Sequence, residues 1–133
     1  MSLSVWDLIS QERKEPEGVL TDRFIMRFDR FLNWDLLSAN YDFSLEMLRT
    51  YQHRVNWCSI LKRFKFTESF LREMAPNFED CWELVCKYQV LTESFIRDYA
   101  SKFDYELVLL YQDVSGKFVQ SVYHSQPLFT ITV

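Results

Sequence analysis

The chain has 133 residues, a net charge of −4, 48% hydrophobic and 17% aromatic content, two glycines and three prolines. That is long enough to bury one core without staples, and the composition excludes disordered and collagen-like chains. Three cysteines without framework spacing exclude a disulfide scaffold, and no signal segment or membrane-length apolar run is present, so a soluble cytoplasmic protein is expected.

One line recurs about every 23 residues: Leu20-Thr21-Asp22-Arg23-Phe24-Ile25, Phe43-Ser44-Leu45-Glu46-Met47-Leu48, Phe66-Thr67-Glu68-Ser69-Phe70-Leu71, Leu91-Thr92-Glu93-Ser94-Phe95-Ile96 and, more weakly, Val114-Ser115-Gly116-Lys117-Phe118-Val119. A fixed period in this range marks a repeat architecture. The chain opens on Ser4-Val5-Trp6-Asp7-Leu8-Ile9-Ser10, which matches Asn33-Trp34-Asp35-Leu36-Leu37-Ser38 and reads as a lone second helix, a half-repeat over 4–11. Gln11 to Gly18 is polar and holds Pro16, so it reads as a loop.

Repeats follow over 20–42, 43–65, 66–90 and 91–113. Each begins with a hydroxyl cap (Thr21, Ser44, Thr67, Thr92), which accepts from the orphan N–H groups of a first turn. Acids follow at once (Asp22, Glu46, Glu68, Glu93), where the helix dipole favours them. Apolar residues at helical spacing then predict a first helix of about three turns: Phe24, Ile25, Phe28, Leu32; Met47, Leu48, Tyr51, Val55; Phe95, Ile96, Tyr99, Phe103. A second cap with an aromatic (Asn33-Trp34, Asn56-Trp57, Asp104-Tyr105) starts a shorter second helix.

The third repeat departs from this pattern. Pro76 predicts a break at Ala75 and an irregular turn through Asn77 to Asp80, and Trp82 falls two residues late. The last segment, 114–133, is a partial repeat from Ser115, then Pro127 and the apolar, β-branched Leu128–Val133. The fold expected is all-α: an α-solenoid-like stack of short helix-turn-helix repeats with half-repeats at both ends. Trp6, Phe24, Phe28, Trp34, Trp57, Phe70, Trp82, Phe95 and Tyr105 are the expected core aromatics.

Two polar constellations stand out. Arg49, Arg72 and Arg97 occupy one register position in three repeats and offer a row able to grip acidic groups or phosphates. The same spacing also gives i,i+4 pairs with Glu68 and Glu93. Glu79, Asp80 and Glu83, with Glu73, form an acidic group around the irregular third repeat. Charge divides accordingly, +3 over 19–66 and −6 over 67–113. His53 reads as a surface residue and Cys81-x4-Cys86 lacks zinc spacing. With no phosphate loop and no nucleophile motif, no enzyme, metal or cofactor is expected.

The line Leu-Thr/Ser-Glu-x-Phe-Ile-Arg, followed by Asn/Asp-Trp and a closing Tyr-Gln, resembles short helical repeats of uncharacterised bacteriophage and large DNA virus proteins. Leu91 to Arg97 and Asp104 to Gln112 match it best, then Phe66 to Arg72 and Tyr88-Gln89. The resemblance spans Leu20 to Gln112. Departures are Asp22-Arg23 and Met26, Cys81 before Trp82, and Tyr105 in place of Trp. The resemblance implies a viral or phage origin and no catalytic residues.

Function is therefore expected to be binding of a protein partner, as a small viral or phage inhibitor occluding a host or competitor protein. The alternatives are nucleic-acid binding through the arginine row, which the net acidity disfavours, and self-assembly as a homodimer through incomplete end repeats.

Overall fold

The computed structural model describes residues 4–12 and 18–123; Pro16, His124, Pro127 and Leu128–Val133 lie outside the described residues. Two compact units divide between Arg63 and Phe64. The first holds α1 (Val5–Ser10), α2 (Asp22–Phe28), α3 (Trp34–Asn40), α4 (Leu45–Thr50) and α5 (Trp57–Arg63). The second holds α6 (Glu68–Met74), α7 (Trp82–Tyr88), α8 (Glu93–Asp98), α9 (Tyr105–Tyr111) and α10 (Gly116–Val122), with 3₁₀ turns at Ala75–Asn77 and Ala100–Lys102. The chain is all-helical, and no strand occurs among the described residues.

Each expected hydroxyl cap starts a helix. Thr21, Ser44, Thr67, Thr92 and Ser115 accept from the N–H groups of Phe24, Met47, Phe70, Phe95 and Phe118 at 3.0–3.2 Å. Asn33 and Asn56 do the same for Leu36 and Ser59. Ser4 adds a capping box with Asp7.

The first helices are two turns long, against the three expected. Leu32, Val55 and Phe103 are buried but lie beyond them, in the connecting turns. The following indole explains two of these early ends. Trp34 Nε1 donates to Asp29 O (2.9 Å) and Trp57 Nε1 to Gln52 O (2.8 Å), carbonyls that a longer helix would have used. The amides of Asn33 and Asn56, released from that role, donate to the hydroxyls of Ser10 and Ser38, each at 2.8 Å. In the third repeat α6 stops at Met74, and Ala75–Asn77 turns as a 3₁₀ helix around Pro76, which has no N–H to continue the ladder. The chain then turns through Glu79 to Cys81 before α7 begins.

Each repeat contributes one first helix and one second helix, and the second helices pack on one another: α1 with α3 and α3 with α5 in the first unit, α7 with α9 in the second. Their inward position is aliphatic and fully buried at Leu37, Ile60, Val85 and Val108, and half-buried at Ile9 of α1. Trp34, Trp57, Phe70, Trp82 and Phe95 are buried. Four of the expected core aromatics are only half-buried: Trp6, Phe24, Phe28 and Tyr105. The first three cluster beside α1, with Trp6 stacked 5.2 Å from the exposed Phe31. Tyr105 sits on α9, the last second helix described, and meets Tyr123 at 6.1 Å.

A helix leaves its last four carbonyls without intrahelical donors, and here the following repeat reaches one of them together with the carbonyl of the cap residue or beyond. In the first unit Arg63 donates to Ser38 O (2.6 Å) and Tyr41 O (3.0 Å), at the end of α3. In the second, Gln112 Nε2 donates to Cys86 O (2.6 Å) and Gln89 O (2.7 Å), at the end of α7, and Gln89 Nε2 donates to Phe64 O (2.7 Å). Each glutamine also accepts: Gln89 Oε1 from Phe66 N–H and Gln112 Oε1 from Leu91 N–H. Arginine has no acceptor, and the Phe43 amide, one repeat earlier in register, folds back onto Tyr41 O instead.

Gln112→Ala removes donors and acceptor together from a buried site. We expect a loss of about 2–3 kcal/mol in urea unfolding, with the exposed Gln120→Ala within about 0.5 kcal/mol of the parent chain.

Candidate interaction surface

Two arginines of the row expected from the sequence, Arg72 and Arg97, lie against the next repeat. Arg72, in the last turn of α6, pairs through Nε with Glu68 (2.9 Å) and through Nη1 with Asp98 (2.8 Å). Its guanidinium lies over Phe95 at 5.4 Å and Tyr99 at 5.9 Å, both in the next repeat. Thr92 Oγ1 donates to the second oxygen of Glu68, so one carboxylate joins its own helix to the next repeat's cap. Hydrogen bonds from Thr92 and then Arg72 hold the Glu68 carboxyl below its ordinary range. Arg97 repeats the arrangement over Phe118 at 5.2 Å. Arg49 belongs to the first unit, exposed in the last turn of α4.

Lys87 lies between the rings of Tyr88 and Tyr111, 5.6 Å from each. Lys65 donates to Tyr88 O. These contacts place Lys65, Arg72, Lys87 and Arg97 in repeat-to-repeat packing. Lys102 and Glu79 flank an open cleft of about 280 Å³ whose other walls are Arg72, Ala75, Pro76, Trp82 and Tyr99. The cleft sits where the third repeat is two residues longer, because Pro76 diverts the chain between α6 and α7. Of the acidic residues expected as a surface group, Glu79 lines the cleft, while Asp80 and Glu83 stand exposed beside it on the turn and the first turn of α7.

Burial, with Asp104 and Glu83 nearby, pushes the Cys86 thiol from 9.0 up to about 11, which suppresses its thiolate at neutral pH. His53 is exposed. Among the described residues no three His, Cys, Asp or Glu side chains converge as a metal site requires, and no helix is long and apolar enough to cross a membrane. No protein-family model, curated protein or solved structure matches the chain.

Clustering of charge located Glu79, and periodicity located Arg72 and Arg97. It did not separate an arginine that reaches solvent from one lying on the next repeat's ring. Tyr99 and Lys102 were missed as cleft walls because one has core spacing and the other is an isolated charge.

We expect Arg72→Ala to lower Tm at neutral pH, with Arg72→Lys failing to restore it, since an ammonium cannot form the fork to two carboxylates and lie flat on a ring. Glu68 titrates below its ordinary 4.5 in the fold. Its contribution is present above that value and lost as pH falls through the lowered one, so the gap between parent and Arg72→Ala should narrow on acidification.

Proposed function

We propose that the chain is a non-enzymatic, solenoid-like helical-repeat module that binds a protein partner through the cleft and acidic surface of its second unit. The long-range hydrogen bonds of both units support the repeat reading: they join residues 18 to 26 apart, about one repeat. Such nearest-neighbour bonding is how repeat proteins are held together.

The observation that carries the binding reading is the open, aromatic-walled cleft of the second unit, with Glu79 and Lys102 on its walls and the exposed Glu83 on the adjoining helix. Arg72 and Arg97, the cations best suited to phosphates, lie on rings of the next repeat. A basic loop carrying one apolar side chain fits this arrangement: the side chain enters against Trp82 and Tyr99, and the flanking cations meet the acids. Occlusion of such a loop would make the protein an inhibitor of its partner.

The joint substitution Glu79→Lys, Asp80→Lys, Glu83→Lys should weaken capture of a nuclease-resistant protein partner at least about tenfold, with Tm held close to the parent. Recovery of nucleic acid in its place, lost steeply as salt rises and abolished by Arg49→Glu, would overturn this reading.

A further inference from the structure

The segment from Arg23 to Phe31 carries three Arg-Phe doublets, Arg23-Phe24, Arg27-Phe28 and Arg30-Phe31, spaced i, i+4 and i+7. That spacing puts the arginines on one stripe and the phenylalanines on the next. The phenylalanines lean on Trp6, with ring centres 5.2–6.4 Å from it. Phe31, in the turn after α2, nevertheless stays 51% exposed. Arg54, Arg63, Arg72 and Arg97 are all spent on a neighbouring repeat. Arg23, Arg27 and Arg30 are exposed and form no ion pair among the described residues. The acids beside them are held elsewhere, since Asp22 and Asp29 accept from the hydroxyls of Tyr41 and Tyr51. The first unit therefore presents an exposed turn with one apolar ring and flanking cations.

The cleft of the second unit is the complement of that turn. Trp82, Tyr99 and Pro76 give it apolar walls, Glu79 stands on the wall, and Glu83 is exposed on the adjoining helix. At about 280 Å³ it falls below the size of pockets that enclose a drug-sized ligand and suits one side chain. Bringing turn and cleft together sets opposite charges against each other and covers the half-exposed ring.

We infer that the cleft of one copy takes the 29–31 turn of a second copy, with Phe31 against Trp82 and Tyr99 and with Arg27 and Arg30 beside Glu79 and Glu83. This rests on the reading of the cleft as a site for a basic loop, and it supplies the regulation of that site. Self-association occupies the cleft until a partner's basic loop displaces the turn. Lys102 donates to a carbonyl of the incoming turn. The joined surfaces are unlike, so every copy offers both a turn and a cleft.

Sedimentation velocity of the full chain tests this. Apparent mass should rise with protein concentration and fall as salt is added. Arg30→Glu with Phe31→Ser breaks the turn and spares the cleft, while Glu79→Lys with Glu83→Lys breaks the cleft and spares the turn. Each variant alone should associate at least about tenfold more weakly than the parent. Their equimolar mixture should regain association, because an intact turn then meets an intact cleft. Circular dichroism checks that both are folded; if losing Phe31 from Trp6 unfolds the first unit, Arg30→Glu alone carries the comparison. A parent that stays monomeric to near-millimolar concentration overturns the inference, and so does a mixture no more associated than its parts. Partner capture separates this failure from that of the binding reading. The turn variant should capture the partner at least as well as the parent, whereas a cleft variant that still captures it overturns the binding reading whatever the masses show.

Discussion

A seven-residue helix leaves its last four carbonyls without a donor of its own, and everything else in this fold accommodates that shortage. Helices so short are unstable alone and cannot bury their ends without cost. The solution is cross-donation between repeats. Arg63 reaches back to the end of α3, and Gln112 to the end of α7. Because the donor sits at the end of the following second helix, each bond spans about one repeat and fixes the stagger between neighbours. In that register Leu37 and Ile60 are fully buried in the first unit, and Val85 and Val108 in the second. Apolar burial supplies the driving force, and the clamp sets the geometry in which it is realised.

The two units solve the opposite helix end differently. In the first, Asn33 and Asn56 cap their own helices and also donate through Nδ2 to Asp7 and Asp35 of the preceding second helix. Ser10 and Ser38 take the amides that the early helix ends release. In the second unit Cys86 stands where those serines do and Asp104 where the asparagines do, so neither bond is available there. The buried glutamines Gln89 and Gln112 carry the corresponding link at the other end of the helices. Both arrangements leave the Asp7 and Glu68 carboxyls below their ordinary range, through hydrogen bonds to Asn33 and Thr92 respectively.

Much of this was legible in the sequence. The five hydroxyl caps, the asparagine caps, the disturbance at Pro76 and the opening helix α1 all follow from local chemistry: a side-chain oxygen that meets an orphan amide, or a ring that lacks one. Helix length was not legible. Leu32, Val55 and Phe103 continue the helical period from beyond the helix, because a connecting turn can present the same face to the core as another helical turn. Nor was the fate of the arginines. Arg72 and Arg97 obey the spacing of a surface row, and only the position of Phe95 and Phe118 on the next repeat shows that their guanidinium groups lie on rings. The glutamines were visible as a recurring Tyr-Gln, Tyr88-Gln89 and Tyr111-Gln112, but their value lies in partners 21 to 26 residues away.

The clamp is tested most directly by amide hydrogen exchange of the intact chain, read residue by residue. The Leu91 and Phe66 amides lie between helices, yet each donates to a buried glutamine oxygen. They should exchange as slowly as the helical amides of Ile96 and Val108, through opening of the whole unit. Exchange of Leu91 at the rate of an exposed loop amide, with Val108 still protected, would contradict cross-donation as the constraint that holds these repeats together.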